Sequence, residues 1–320
     1  MRVLVTGGTG QVGAAAVRLF ADEMPDVECF APRRAELDLE NANSIRAYVQ
    51  GVQPRWIISC GAYTAVDAAE SDRDAAFAAN AVAPTVLAEE AASLNTGLIH
   101  FSTDYVFDGT GQRPWTETDP TAPLNIYGSS KLAGEQGIAC AAATHGLAAF
   151  VLRTSWVYSG GGKNFVRTML RLLSTPRESL RIVGDQYGAP TAAADLAYAA
   201  LGIVRFTEGR ASGGPLADTL QAQAGLYHCA GSGETTWAGI AEAVREYLRL
   251  QHSLEPPEIT PIATAEYPTP AKRPLNSRLN CDKLYETFGI RLPHWRISLA
   301  QTLTELAATD LQHSAVLQAH

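Results

Sequence analysis

The run Ser102-Thr103-Asp104, followed by Tyr127 and Lys131 in the spacing Tyr-x-x-x-Lys, is where this chain could do chemistry. Tyr and Lys four residues apart on a helix project from the same face. A lysine ammonium close to a phenol favours the phenolate, because an opposite charge stabilises the ionised form. A free phenol has a pKa of about 10. Lowering it makes tyrosine a usable proton donor near neutrality. Ser102 or Thr103 could add a hydroxyl to the same reacting oxygen. Neighbours on a strand face opposite ways, so only one of the two can point at a substrate.

A second chemical element stands at the N-terminus. The apolar run Arg2-Val3-Leu4-Val5-Thr6 reads as a buried strand. Gly7, Gly10 and Gly13 follow in the spacing Gly-x-x-Gly-x-x-Gly, and residues 14–22 then read as an amphipathic helix with Val17 and Phe20 on one side. Glycine permits the tight turn and lets a pyrophosphate approach the backbone. The helix start adds free N–H groups and the positive end of its dipole. Between a first strand and a first helix, this loop predicts a bound dinucleotide.

The kind of dinucleotide is written after the second strand. In the common fingerprint an acidic residue there binds the adenosine ribose 2′-hydroxyl. Here the strand ends in Ala31-Pro32-Arg33-Arg34, without a carboxylate. Guanidinium groups pair well with phosphate, so Arg33 points to NADPH, with NADH use possible. Asp38 and Leu39 could flank the adenine ring.

These groups need a scaffold, and the first half of the chain supplies one by alternating strand and helix. Strands are expected at 27–31, 56–60, 98–102 and 150–153, helices at 43–51 and 127–143, and a long alanine-rich helical stretch, interrupted near Pro84, at 72–95. Such alternation predicts an α/β fold with a doubly wound, Rossmann-like parallel sheet. Ligands then lie beyond the carboxyl ends of the strands. Residues 7–13, 61–64, 102–104 and 153–156 all fall at such ends and would converge on one rim. We expect the dinucleotide domain to span 1–155, with a segment near 185–205 returning to it. A smaller mixed α/β substrate domain is expected over 156–305. Residues 207–223, rich in Gly and Ala, read as an exposed loop, and 306–320 as a tail open to disorder.

Bulk composition narrows the function classes. The 320 residues are 46% hydrophobic and 18% charged, as in an ordinary soluble globule. A net charge of −8 argues against nucleic acid as partner. No segment approaches the roughly 20 apolar residues of a membrane span. No secretory signal is visible and the five cysteines are odd in number and widely spaced, which suits a reducing, cytoplasmic location. No metal-ligand spacing is written in the histidines or cysteines.

Together these residues resemble the extended short-chain dehydrogenase/reductases, and most closely their dTDP-4-dehydrorhamnose reductase branch. The resembling segments are 6–13, 62–70, 101–109 (Phe-Ser-Thr-Asp-Tyr-Val-Phe-Asp-Gly), 123–135, 153–158 (Arg-Thr-Ser-Trp-Val-Tyr), 185–191 and 273–279. The glycine loop and Tyr-x-x-x-Lys belong to the wider superfamily; 101–109, 153–158 and 185–191 are specific to the branch. The resemblance implies NADPH-dependent reduction of the C4 ketone of dTDP-4-dehydro-L-rhamnose, a step toward cell-envelope polysaccharide. It places Gly10, Gln11 and Val12 on the pyrophosphate and Ala62, Tyr63 and Thr64 along the cofactor. Lys131 would bind the nicotinamide ribose and tune Tyr127, the proton donor. Thr103 is selected over Ser102 for the ketone oxygen, Asp104 touches the sugar, Trp156 packs on sugar or nucleotide, and Asn164 belongs to the substrate pocket. Arg273 could meet the diphosphate or form a surface ion pair. Some members hold a metal at a dimer interface through carboxylates where this chain has alanines at 14–16 and 192–194, so no metal is expected, and the chain is read as a monomer or homodimer. Reduction of another 4-keto nucleotide sugar is the alternative, and a non-catalytic NADP-binding regulatory subunit a more distant one.

Overall fold

The computed structural model describes residues 1–211, 216, 222–252 and 254–318. At its centre lies a six-stranded sheet. Five strands, β1 (Arg2–Thr6), β2 (Glu28–Phe30), β3 (Trp56–Ser59), β4 (Gly97–Thr103) and β5 (Ala149–Thr154), come from the first half of the chain, and the sixth, Gly225–His228, from the second. The order across the sheet is Gly225–His228, β5, β4, β3, β1, β2. Every pairing is parallel. The chain winds from β1 outward to β2, then crosses back to β3 on the other side of β1. That reversal opens a crevice beyond the carboxyl ends of β1 and β3.

The strands are continuous apolar runs because helices cover both faces. Val3 and Val5 face Phe20, Leu196 and Leu201. Leu4, between them, points the other way into Ile45, Val49 and Leu87. The first face is covered by α1 (Gln11–Glu23) and the helix Ala193–Ala211, the second by α2 (Ala42–Val52) and the helices Ala83–Ser93 and Ile126–His145. Phe20, fully buried, contributes on the order of 2 kcal/mol. A separate core of Tyr158, Met169, Ile240, Val244, Trp295 and Leu299 lies in the second half. Short two- and three-stranded sheets accompany it.

The expected break near Pro84 takes a specific form. Helix Arg73–Phe77 runs into a π-helical turn, Ala78–Val82, before helix Ala83–Ser93. Proline has no N–H to give the carbonyl four residues back, and its ring crowds that position, so the turn widens just ahead of it. One expectation is corrected in the second half. Residues 207–211 continue the helix Ala193–Ala211 and are not a loop, while 212–215 and 217–221 lie outside the described residues. The backbone from Trp295 is helical as far as Gln318; 319–320 lie outside the described residues. Among the described residues no helix is long and apolar enough to cross a membrane.

Candidate active site

A cavity of about 1510 Å³ runs along the rim where the strands end. Gly7, Gly10, Gln11 and Val12 line it, as do Ala62, Tyr63 and Thr64, with Thr103, Tyr127 and Lys131. Trp156, Asn164 and Arg273 line it as well.

The glycine loop is shaped by contact with its own backbone. Gly7 has φ +64°, and a β-carbon there would lie 2.6 Å from the Gly61 Cα. A β-carbon on Gly13 would lie 2.2 Å from the Gly7 carbonyl oxygen. Gly13 is therefore buried under the loop and does not line the cavity, contrary to its placement among the cofactor contacts: its missing side chain serves the packing of helix on loop. Gly10 caps α1 without any side-chain hydrogen bond, so the first-turn N–H groups of this helix remain available. An uncapped helix start beneath a loop of bare backbone fits the diphosphate of a dinucleotide.

At the adenine end, Asp38 and Leu39 line the cavity. So does Arg34, whose guanidinium donates to Glu40 Oε1 at 2.7 Å. Arg33, the arginine chosen from the sequence, is exposed and outside the cavity wall. Adjacent residues in this turn diverge, and nothing in the pair Arg33-Arg34 says which faces inward.

The loop after β3 is held by a residue that sequence reasoning passed over. Asn80, fully buried on the π-helical turn, accepts the Tyr63 N–H at 2.8 Å and donates to the Tyr63 carbonyl at 3.0 Å. It also donates to Ser130 Oγ at 3.0 Å on the Tyr127 helix. The only sequence signal for Asn80 was its place four residues before Pro84.

Thr103, Tyr127 and Lys131 come together as the spacing required. Asn125 caps the helix Ile126–His145 through Gly128 N–H at 2.8 Å. The Thr103 hydroxyl donates to Asp104 Oδ1 at 3.1 Å, and Tyr105 meets the Tyr127 ring edge-on, ring centroids 5.5 Å apart. Ser102 is committed elsewhere: its hydroxyl donates to Glu135 Oε1 at 2.5 Å, and Glu135 pairs with Arg153 at 2.6 Å. Ser102 and Thr103 both line the cavity. Asp104, buried, is pushed up to about 7 by burial, opposed by hydrogen bonds from Ser277 and Thr103.

One electrostatic expectation is corrected. The Tyr127 phenol is not held below its ordinary value in the ligand-free chain. Burial raises it, Asp104 and Tyr105 raise it further, and only the Thr103 hydrogen bond lowers it. Lys131, 2% exposed, turns its ammonium to the Phe101 carbonyl at 2.7 Å and to His100 Nε2 at 3.1 Å. Desolvation brings Lys131 itself down to about 8, with Glu135 and Cys60 working against the fall.

At the far end Trp156 adopts φ +49°, unusual for a bulky residue. It is held by stacking on Trp237, ring centroids 4.1 Å apart, and Gly188 leaves room for its ring. Trp237 also lines the cavity and was not found from sequence, where it read only as the start of a helix. Asn164 caps the helix Phe165–Leu173 and donates to Gln11 Oε1 at 3.0 Å, so its amide joins the glycine loop to the second half of the chain. Arg273 pairs with Asp67 at 2.7 Å while facing the cavity.

A family model described as RmlD substrate binding domain matches residues 1–308. A dTDP-4-dehydrorhamnose reductase of Sinorhizobium fredii is 45% identical over 298 residues, 93% of this chain and 95% of that protein. A crystal structure of a dTDP-4-dehydrorhamnose reductase from Clostridium acetobutylicum superposes with a TM-score of 0.84 at 32% identity, covering 96% of this chain and all of that one. Another, from Bacillus anthracis in complex with NADP, gives 0.82 at 32% identity over 95% of this chain and 99% of that one. With a doubly wound sheet, a glycine loop and a Thr-Tyr-Lys cluster on one rim, the chain belongs to the RmlD substrate binding domain family, the dTDP-4-dehydrorhamnose reductase branch of the extended short-chain dehydrogenase/reductases.

Proposed function

We propose that this chain reduces the C4 ketone of dTDP-4-dehydro-L-rhamnose to dTDP-L-rhamnose with NADPH, and that Tyr127 is the proton donor. One observation carries the reading: Thr103, Tyr127 and Lys131 line the same cavity as the N-terminal glycine loop. NADPH, when bound, supplies the hydride for C4. The chain supplies the rest. Gly10, Gln11 and Val12 offer backbone to the diphosphate, Arg34 a guanidinium to the adenosine 2′-phosphate, and Lys131 an N–H to the nicotinamide ribose. Residues 1–155, with 185–205 and the edge strand Gly225–His228, form the cofactor half, and walls from the rest of 156–305 take the sugar nucleotide.

As the ketone becomes an alcohol, negative charge grows on O4. Thr103 Oγ1 donates a hydrogen bond to that oxygen and Tyr127 Oη gives it a proton. Because burial raises the phenol, Tyr127 stays protonated over the working pH range and is loaded as an acid. A sugar alkoxide is a stronger base than a phenolate, so the transfer runs downhill. Lys131, one helical turn away, holds the nicotinamide ribose so that hydride and proton reach the same carbonyl. Asp104 offers its carboxyl to a sugar hydroxyl, and Trp156 an aromatic face. A sugar-nucleotide substrate and NADPH support a cytoplasmic location.

The test is oxidation of NADPH, followed by absorbance, with enzymatically made dTDP-4-keto-6-deoxy sugar and an epimerase. Tyr127→Phe is expected to lose most turnover and keep NADPH affinity; wild-type turnover in that variant would refute the role. Faster turnover of a different 4-keto nucleotide sugar would overturn the substrate assignment.

A further inference from the structure

We infer that His100 is a positioning residue for Lys131: with the Phe101 carbonyl it takes two of the three ammonium N–H bonds, keeps a buried charge in place, and leaves the third N–H to the cavity. The inference rests on the function proposed above for Lys131. His100 is the polar residue within the apolar stretch 98–101 of β4 and is 1% exposed. Its Nε2 lies 3.1 Å from Lys131 Nζ, and its Nδ1 lies 3.0 Å from Ser59 Oγ, on the residue that is its register partner in β3. An ammonium can only donate, so Nε2 must present a lone pair. The imidazole is then neutral with its proton on Nδ1, donating to Ser59. A protonated ring would set two cations 3.1 Å apart in a buried site. Burial and Lys131 both push His100 well below its usual value, in agreement with the neutral form.

The surroundings of Lys131 explain why an acceptor there matters. Glu135 faces it from one turn along its own helix, and Cys60 from beyond β3. Arg153 on β5 is committed to Glu135. Asp104 and Tyr105 act on Tyr127. The direct hydrogen-bond acceptors of the ammonium are therefore Phe101 O and His100 Nε2. Without His100 the ammonium loses one of them in a dry site and gives up its proton at lower pH. Ser59 matters at one remove, by accepting the Nδ1 proton and holding the ring so that Nε2 faces the ammonium.

The experiment is a pH titration of the ligand-free protein labelled with ¹³C at lysine Cε. The chain has four lysines, Lys131, Lys163, Lys272 and Lys283, so the spectrum is small. The Lys131 signal is the one that Lys131→Met removes. Wild type is expected to titrate near 8. His100→Leu is expected to titrate at least about one pH unit lower, about tenfold in proton affinity. His100→Gln, whose amide oxygen can stand in for Nε2, is expected to stay within about threefold of wild type. NADPH affinity, read by binding in the absence of any sugar, is expected to fall about tenfold in His100→Leu and to be restored in His100→Gln. The same Lys131 midpoint in all three proteins overturns the inference. Should His100→Leu fail to fold, Ser59→Ala is the second variant: a smaller downward step in the Lys131 midpoint supports the assignment, and an unmoved midpoint overturns it. The titration needs no substrate. A wild-type protein inert toward keto sugars, with the Lys131 displacement intact, would sink the proposed reaction and support the role of His100.

Discussion

A β-carbon built on Gly128 would lie 2.2 Å from the carbonyl oxygen of Tyr105. The helix that carries Tyr127 therefore rests directly on the turn that follows Thr103, and this contact sets the distance between the two hydroxyls. Gly128→Ala must push helix and turn apart. Overpacking of this kind costs about 1–3 kcal/mol of stability. The expected outcome is a lower Tm and a loss of about 100-fold or more in kcat, because a displacement of about 1 Å at a reacting group has that effect. NADPH affinity should stay close to wild type. An alanine variant with wild-type kcat would mean that the contact does not position Tyr127.

The two arginines after β2 should separate cleanly. Arg34 lines the cavity and is tied to Glu40 by an ion pair whose arginine side chain is 74% exposed. Such a pair is worth little, so the guanidinium can exchange the carboxylate for a phosphate. Arg34→Ala is expected to reduce the preference for NADPH over NADH by about tenfold, as loss of a charge-assisted phosphate contact does. Arg33→Ala, outside the wall, should change it less than about twofold. Comparing kcat/KM with the two cofactors measures both, and the reverse ranking would return the role to Arg33.

Trp237 should matter for the sugar nucleotide and not for the cofactor. Its indole N–H donates to Gln186 at 2.9 Å, and its ring supports Trp156 in a left-handed backbone conformation. Removing the support lets Trp156 relax away from the cavity. Trp237→Ala is expected to raise KM for the keto sugar about tenfold and to cost about 2–3 kcal/mol of stability. A KM unchanged from wild type would show that Trp156 keeps its place unaided.

What could be read in the sequence was local. The buried strand before Gly7, the glycine spacing and the four-residue interval from Tyr127 to Lys131 each carry their own periodicity, and each appears where expected. Long-range placements were less accessible. Gly225–His228 joins the far edge of the sheet beside β5, about 70 residues after β5 ends, and nothing in its four residues points there. Asn80 acts through a widened turn that only the backbone around Pro84 reveals. The direction of the Tyr127 shift was also out of reach. The spacing says that Lys131 shares a helix face with the phenol, but the ammonium is drawn to a carbonyl and an imidazole on β4, and desolvation then dominates.

Lys131 offers the sharpest pH test. Its pKa is about 8 in the folded chain, from an ordinary 10.5, chiefly through burial. Between those two values the unfolded chain holds a proton that the folded chain has given up. Raising the pH through that window therefore favours the folded state, and the burial penalty present below pH 8 is progressively relieved. Lys131→Met has no such proton. The stability of wild type minus that of the variant, from urea unfolding at a series of pH values, is expected to be flat below pH 8 and then to rise toward pH 10.5. The full rise is about 3 kcal/mol. The subtraction removes every other titrating group common to both proteins. Lys131→Met should be nearly inactive at every pH, since the nicotinamide ribose has lost the lysine N–H that positions it. A difference that stays flat across the window would mean that the ammonium is solvated in the folded chain. The buried contacts to Phe101 and His100 would then not describe its resting state.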